Sequence, residues 1–299
     1  MKAESESNSE LPRLRMAGPT SAAELAQRLQ REQTLIDRKR EEGLEQSLAP
    51  MRVGSVPYLN AVPLTRGLED QIVFAPPAQL AQLLREDKLD AALLSITEPL
   101  LHDGYDILDG IAVAALGEVV SVFLAHRKPI EQIETVFCDT ASLASVNLLK
   151  VLLAERGLRP EFKSLEYYHD VHHHDFVLLI GNAAIDFRRA PHEHERWDLG
   201  QAWSELTNLP FVFAVWALRH GKVDEATKRL LREARDFGLD TLDYIINSRS
   251  EYDADFRRDY LGWHIHYHLG TDEKRGIARF VELLEKHGLG PVHQPRYVS

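Results

Sequence analysis

The sequence predicts an α/β protein of two lobes, and three observations lead to that prediction. From residue 51 onwards, short apolar segments alternate with amphipathic ones, which is typical of a mostly parallel sheet with helices on its faces. The alternation begins a second time near residue 135. Two strongly apolar segments, near 117–128 and 209–219, join the two runs and predict strands that pass between lobes.

The first run predicts five strands and two helices. Pro63 requires one helix to begin near it, and Pro76 and Pro77 stand at the start of the other, where proline is tolerated. The predicted strands are MRVGSV (51–56), QIVFA (71–75), LDAALLS (89–95), YDILDGIAVAA (105–115) and VVSVFLAHR (119–127), and the predicted helices are AVPLTRGLE (61–69) and PPAQLAQLLRED (76–87).

The second run predicts four more strands and then a helical end. The first helix begins with hydroxyl caps and ends at Gly157, and the last has Thr271 as its cap and Gly288 as its stop. The predicted strands are 135–139, 161–167, 176–181 and 210–218, and the predicted helices are 140–158, a short one within 197–206, one or two within 222–248, and 271–289.

These elements predict three parts of the chain. Residues 1–50 form a polar, partly disordered extension with a candidate helix at 21–47. Residues 51–120 and 217–299 form lobe I, and residues 121–216 form lobe II. In such a body we expect the ligand in the cleft between the lobes, at the carboxyl ends of strands and the N-termini of helices.

Composition and charge narrow the choice of partners. The net charge of -11 argues against nucleic acid, which needs a basic face, but it leaves room for a small anionic substrate. The single cysteine, Cys138, cannot form an internal disulfide and indicates a reducing compartment. No stretch reaches the roughly 18 apolar residues of a membrane span, and the N-terminus lacks the apolar core of a secretory signal. We therefore expect a cytoplasmic location and no membrane partner; the oligomeric state stays open.

Several segments, in this order, resemble a known family. They are VGSVPYLNAVPL, GEVVSVFLAHRKPI, SLASVNLLKVLL, LIGNAA, WDLGQAWSELTNLPFVFAVWA and IHYHLGTDEKRGIARF. The residues and the order of these segments resemble those of the chorismate dehydratases of the menaquinone pathway, over residues 52–288.

The resemblance implies a type II periplasmic-binding-protein-like fold and an enzyme without a cofactor. It implies a carbon–oxygen lyase that removes water from chorismate to give 3-[(1-carboxyvinyl)oxy]benzoate in the futalosine route to menaquinone. Two alternatives remain open. The chain could be a non-catalytic two-lobed binder of a small aromatic or enol-ether carboxylate, or a divergent relative that acts on another acid of that kind.

Two residues become catalytic candidates through the resemblance. Asn60 follows the first strand and matches the asparagine of the family's YLN segment, although an asparagine there is also a common turn former. Ser121 matches a functional serine in the family's SV segment, although a serine in an apolar strand usually bonds only to backbone. No acid or histidine lies next to Ser121 in sequence, so we interpret it as a hydrogen-bonding group and not as a nucleophile.

Four further residues are candidates for substrate binding. Ser142 and Ser145 match the outer residues of a Ser-x-Thr-Ser pattern at a helix start, where the dipole and free N–H groups favour a carboxylate; Ala144 replaces the threonine, and both serines could be plain caps. Ser95 follows the third strand as a second anion contact. Asn182 stands where the family usually has aspartate.

Histidines are frequent in three places. They cluster at 172–174, 192–194 and 264–268, but none of the clusters has the spacing of a known metal site. We therefore expect no metal.

Overall fold

The computed structural model describes residues 51–138, 143–165 and 167–299. The predicted disordered extension and the candidate helix at 21–47 lie outside the described residues, and so does Ser142.

Eleven strands are found in this part of the chain. They are β1 Val53–Ser55, β2 Val73–Phe74, β3 Ala91–Ser95, β4 Tyr105–Ala115, β5 Val122–His126, β6 Thr135–Cys138, β7 Glu161–Ser164, β8 Phe176–Ile180, β9 Glu195–Asp198, β10 Phe211–Arg219 and β11 Tyr297–Val298.

The described residues also form nine α-helices. They are α1 Pro77–Arg85, α2 Thr97–Leu101, α3 Leu143–Glu155, α4 Gly181–Arg189, α5 Leu199–Thr207, α6 Glu225–Asp240, α7 Leu242–Ser248, α8 Ala254–Asp259 and α9 Thr271–Lys286. Shorter 3-10 turns occur at Leu59–Leu64, Ile130–Gln132 and Tyr168–His173, and a π-helical turn covers Tyr260–His264.

The strands build two separate sheets. The first has the order β11-β4-β10-β3-β1-β2, and the second has the order β7-β6-β8-β5-β9. Within the described strands, each sheet is parallel except for one member: β10 runs antiparallel to both of its neighbours in the first sheet, and β5 does so in the second. The mostly parallel arrangement that the sequence predicts therefore has one reversed strand in each sheet.

The reversed strands are those that the chain enters when it changes sheets. We call residues 116–121 the first crossing, since it leads from β4 to β5, and residues 198–210 the second crossing, since it leads from the last residue of β9 through α5 to β10. The predicted lobe boundary at 216/217 falls inside β10, which lies along its whole length in the first sheet. The second predicted passing strand is thus a full member of the first sheet, and the division into lobes stays a prediction.

An aromatic cluster anchors the second crossing. Trp203 of α5 packs edge-on against Phe211 of β10 and Phe280 of α9, with ring centroids 5.3 and 5.9 Å away. The indole nitrogen of Trp203 donates to the carbonyl of Pro210 at 3.1 Å. Because their rings are buried, Trp203 and Phe211 of the WDLGQAWSELTNLPFVFAVWA segment belong to the core.

Helix α3 is apolar on nearly every face. Most of its side chains are buried, and it contacts α2, α5, α9 and β10. An apolar helix of this kind belongs in the interior of a protein, and α3 connects β6 and β7 of the second sheet while packing on elements of the first. Among the described helices, none is both long enough and apolar enough to cross a membrane.

Candidate active site

A buried phenol links the two predicted catalytic residues. Tyr260 is 1% exposed, and its hydroxyl donates to Ser121 Oγ at 2.8 Å. The Asn60 side chain is a second hydrogen-bonding partner of the same phenol. Asn60 comes from the turn after β1, and Ser121 is the last residue of the first crossing, directly before β5, so segments next to strands of different sheets converge on one hydroxyl group.

The protonation state of this phenol follows from its surroundings. Burial raises the pKa of Tyr260 to about 12, and the hydrogen bonds to Ser121 and Asn60 oppose that shift only in part. Tyr260 is therefore neutral at pH 7 and keeps its hydroxyl hydrogen.

Asn60 lies on a tightly packed turn. Leu59, Ala61 and Leu64 of the 3-10 turn are buried, which fixes the face that Asn60 occupies. Gly238 of α6 lies directly against this turn, because a Cβ atom there would stand 1.8 Å from the carbonyl oxygen of Pro63. Any larger residue at 238 would displace the turn, so the YLNAVPL segment depends on a glycine far along the chain.

Ser121 follows a strained residue. Val120 has a φ of 71°, which is rare for a β-branched side chain, and the N–H of Ser121 donates to the carbonyl of Val119 at 2.8 Å across a γ-turn. The carbonyl of Ser121 accepts a hydrogen bond from the N–H of Gly181 at 2.7 Å. Strained backbone persists only where neighbouring structure holds it in place.

The second crossing provides that restraint. The Asp198 carboxylate accepts hydrogen bonds from the N–H groups of Val119 at 3.0 Å and Val120 at 2.8 Å, and it also caps α5 through the N–H of Gln201 at 3.0 Å. Burial raises the pKa of Asp198, and the three backbone donors work against that rise. Gly200 permits the close approach, since a Cβ atom there would stand 2.6 Å from the carbonyl oxygen of Gly117. These contacts explain the WDLGQ part of the motif.

The π-helical turn that carries Tyr260 is tied to the first crossing. His264 Nδ1 donates to the carbonyl of Glu118 at 2.7 Å, and Arg188 of α4 pairs with the Glu118 carboxylate at 2.9 Å. The rings of Phe256 and Tyr260 stack at 5.6 Å. Short π-helical turns are frequent at functional sites, and this one places the phenol beside Ser121.

The predicted binding residues are distributed unevenly around this group. Ser95 is half-buried at the end of β3, and its hydroxyl shares a 2.6 Å hydrogen bond with the hydroxyl of Thr97, so its recorded contacts are local. Ser145 is buried in the first turn of α3. Asn182 is exposed in the first turn of α4, one residue after the Gly181 that contacts Ser121. The structure therefore links Asn60 and Ser121 through Tyr260, while the binding roles stay predictions.

Tyr260 is the residue that the sequence did not single out. Its segment, DYLGWH, has neither the strand nor the helix period, and its partner Ser121 lies 139 residues earlier. The only local signal was the concentration of aromatic residues between 252 and 267.

One group among the described residues has side chains suited to a metal. The ligand atoms of His266, His268 and Glu273 lie within 4.8 Å of one another. His268 pairs with Glu273 at 3.2 Å, and Glu273 also accepts a hydrogen bond from the N–H of Gly270 at the start of α9. These contacts account for His268 and Glu273 without an ion, and the expectation of no metal stays a prediction.

Comparison with known proteins places this geometry in context. A family model described as menaquinone biosynthesis matches residues 51–286. The chorismate dehydratase of Thermus thermophilus is 34% identical over 267 residues, which covers 79% of this chain and 96% of that protein.

Solved structures show the fold. Protein AF1704 from Archaeoglobus fulgidus superposes with a TM-score of 0.64 at 18% identity, covering 79% of this chain and 97% of its own. The periplasmic binding protein BugD superposes with a TM-score of 0.51 at 10% identity, covering 82% of this chain and 99% of its own. The chain thus has the two-lobed fold of periplasmic binding proteins, as the sequence predicted.

Proposed function

The chain belongs to the menaquinone biosynthesis family, and from that premise we propose that it is a chorismate dehydratase. In this proposal it is a carbon–oxygen lyase that removes water from chorismate to give 3-[(1-carboxyvinyl)oxy]benzoate. Its relative from Thermus thermophilus carries that name and matches nearly its whole length.

One observation carries the proposal. Asn60 and Ser121 meet on the hydroxyl of Tyr260, although they come from different sheets. Ligands of two-lobed α/β proteins bind at such junctions, where strands of both lobes end. The site would therefore present an amide and a hydroxyl to one small molecule.

The reaction is driven by the substrate itself, and the main task of the protein is to orient the substrate. A ring C–H bond breaks and its electron pair joins the ring, while a ring C–O bond breaks and its pair leaves with the oxygen. The proton and the departing hydroxide together make water, so no oxidant, reductant or other reactant is consumed. Because the ring becomes aromatic, the enzyme needs to hold the substrate, accept the proton and stabilise the leaving oxygen.

The neutral side chains of the site do not supply the base that accepts the ring proton. Tyr260 has a pKa of about 12, so roughly one molecule in 10⁵ is ionised at pH 7. The Asp198 carboxylate is occupied by three backbone N–H groups. We therefore propose that a carboxylate of the substrate itself, held near the ring proton, accepts that proton.

The proposal also fixes the setting of the reaction. Chorismate would be the small-molecule partner, and Ser95, Ser142, Ser145 and Asn182 would contribute to its binding from the two sides of the cleft. The buried Cys138 has no second cysteine to pair with, which suits a reducing compartment, and we place the enzyme in the cytoplasm.

A spectroscopic assay tests the proposal. Purified full-length protein is mixed with chorismate, and the ultraviolet spectrum is followed for the appearance of the aromatic product. We expect turnover by the wild type and a loss of at least about 100-fold for Asn60→Ala and Ser121→Ala, because each removes a group that contacts the substrate.

The chain offers matched controls for this assay. Asn247→Ala and Ser248→Ala change the same residue types at the exposed end of α7 and should keep full turnover. Full activity of both site variants would contradict the site. A ligand-induced rise of the melting temperature without turnover would favour the non-catalytic binder.

A further inference from the structure

We propose that Tyr260 is a positioning residue that makes Ser121 a hydrogen-bond donor toward the bound ligand. The inference rests on the proposed function and adds a residue and a direction to it. It follows from counting the hydrogens around one buried oxygen.

The phenol has a single hydrogen, and the structure assigns it to Ser121. The Tyr260 hydroxyl donates to Ser121 Oγ at 2.8 Å, so the lone pair of Ser121 on that side is occupied. The hydrogen of Ser121 must then point elsewhere. Ser121 is 1% exposed, and among the contacts of the described residues its side chain has no acceptor. A buried hydroxyl hydrogen needs a partner, and a ligand oxygen in the cleft would supply it.

The same count fixes the amide of Asn60. Because the phenol uses its one hydrogen in the hydrogen bond to Ser121, its oxygen can only accept a hydrogen bond from Asn60. On this count the NH₂ group of Asn60, and not its carbonyl oxygen, would face Tyr260. The chain of bonds runs from Asn60 through Tyr260 to Ser121, and each bond polarises the next.

Neighbouring structure holds the phenol rigid. The rings of Phe256 and Tyr260 stack with planes 16° apart. Arg257, one helical turn before Tyr260, is buried and donates to the carbonyl of Ile246 at 2.6 Å. His264 donates to the carbonyl of Glu118 on the other side of the turn. A side chain locked in this way can set the direction of another group's hydrogen.

The chemical consequence concerns the leaving oxygen. As the ring C–O bond breaks, negative charge collects on that oxygen, and the Ser121 hydroxyl donates a hydrogen bond to it. No proton leaves Ser121 or Tyr260 in this step, because the proton that completes water comes from the ring carbon. Tyr260 touches neither the substrate nor the reacting atoms and acts on the leaving oxygen only through Ser121.

A double-mutant cycle tests this role. Tyr260→Phe removes only the phenol oxygen, and we expect kcat to fall about tenfold while KM changes less than about twofold, the size of one neutral hydrogen bond felt at the leaving group. In a Ser121→Ala background the same change should cost no further activity, because the group through which Tyr260 acts is gone. Losses that simply multiply would overturn the proposal, and so would full turnover of Tyr260→Phe.

Tyr267 supplies the matched control. It is also a buried phenol in the same neighbourhood, but its hydroxyl has no hydrogen-bond partner among the described residues. Tyr267→Phe should keep wild-type kcat and KM. A loss equal to that of Tyr260→Phe would mean that removing any phenol here disturbs the fold, which would overturn the specific role.

Two further measurements separate this inference from its premise. The pH profile of kcat should fall in height but keep its shape in Tyr260→Phe; loss of one limb would make Tyr260 a proton-transfer group and overturn the positioning role. Thermal unfolding of the wild type, Tyr260→Phe, Ser121→Ala and the double variant measures the Tyr260–Ser121 hydrogen bond without any substrate. Additive changes in the free energy of unfolding would refute that bond. If the wild type does not turn over chorismate while the unfolding cycle shows the bond, the proposed function fails and the catalytic part of the inference fails with it.

Discussion

The two crossings between the sheets have different roles at the site. The first crossing is short and strained at Val120, and it delivers Ser121 to Tyr260. The second crossing is longer, contains α5, and is anchored by the buried ring of Trp203. Through Asp198 and Gly200 the second crossing holds the first in place. The candidate catalytic residue Ser121 thus lies on the short, strained crossing, and the anchored second crossing sets its geometry.

The largest expected effect comes from cutting the bond between the crossings. Asp198→Ala leaves the N–H groups of Val119 and Val120 without their acceptor and removes the cap of α5. We expect a loss of about 3 kcal/mol in the free energy of unfolding, measured by urea titration, and a loss of turnover larger than the stability change alone would cause.

Asp224→Ala is the matched control for that variant. Asp224 also caps a helix, accepting a hydrogen bond from the N–H of Thr227 at 2.7 Å, but it is exposed and its hydrogen bond stays within its own helix. It should cost about 1 kcal/mol and leave kcat unchanged. Equal effects of the two variants on kcat would show that Asp198 is only a helix cap.

A smaller effect is expected from pushing the crossings apart. Gly200→Ala places a Cβ atom 2.6 Å from the carbonyl of Gly117, so the first crossing must shift. Gly276→Ala places a Cβ atom 2.2 Å from the carbonyl of Pro210 and presses only on the second crossing. We expect each to lower the free energy of unfolding by about 2 kcal/mol, but only Gly200→Ala to lower kcat by about tenfold or more. Normal turnover of folded Gly200→Ala would contradict the coupling of the two crossings.

The smallest expected effect is a difference in pH dependence between two aspartates. The folded-state pKa of Asp198 is raised, so protonation favours the folded protein, and its contribution to stability is lost as pH rises from 3.8 through the folded-state pKa. The pKa of Asp224 is lowered, so its contribution is present above 3.8 and is lost as pH falls below that value. The contribution of each aspartate is the difference in the free energy of unfolding between wild type and its alanine variant, measured by urea titration at several pH values. Plotted against pH, this difference should fall for Asp198 and rise for Asp224. Slopes of equal sign would contradict the burial of Asp198.

Much of the fold could be predicted because many of its strands and helices have a hydrophobic pattern that is visible within a short stretch of sequence. The strands at 91–95 and 105–115 and the helix at 271–286 are continuous apolar or amphipathic runs. Helix α4 was missed because LIGNAA extends a predicted strand directly into it, and Gly181, with a φ of 63°, makes that turn without any loop. Nothing local marks the reversal of β5 and β10, because strand direction depends on the route of the chain between sheets.

The site was predictable only in part, for a related reason. Asn60 and Ser121 came from resemblance, since neither residue type in its own segment separates a ligand contact from a turn or a buried hydroxyl. Tyr260 completes the group through a contact across 139 positions, which no window along the chain contains. Asp198 and Gly200 were part of a recognised segment, but their task became clear only when that segment lay against Val119 and Gly117.

The position of β10 has a consequence for how the protein is made. β10 lies between β3 and β4, so neither strand can form its native pairing with β10 while the ribosome is still producing residues 116–210. During that interval the contiguous second sheet can form on its own, but β4 waits with both of its edges unpaired, a state that invites pairing with another chain. A nascent polypeptide that ends just before Phe211 therefore exposes two strand edges of β4 that the finished protein covers with β10 and β11.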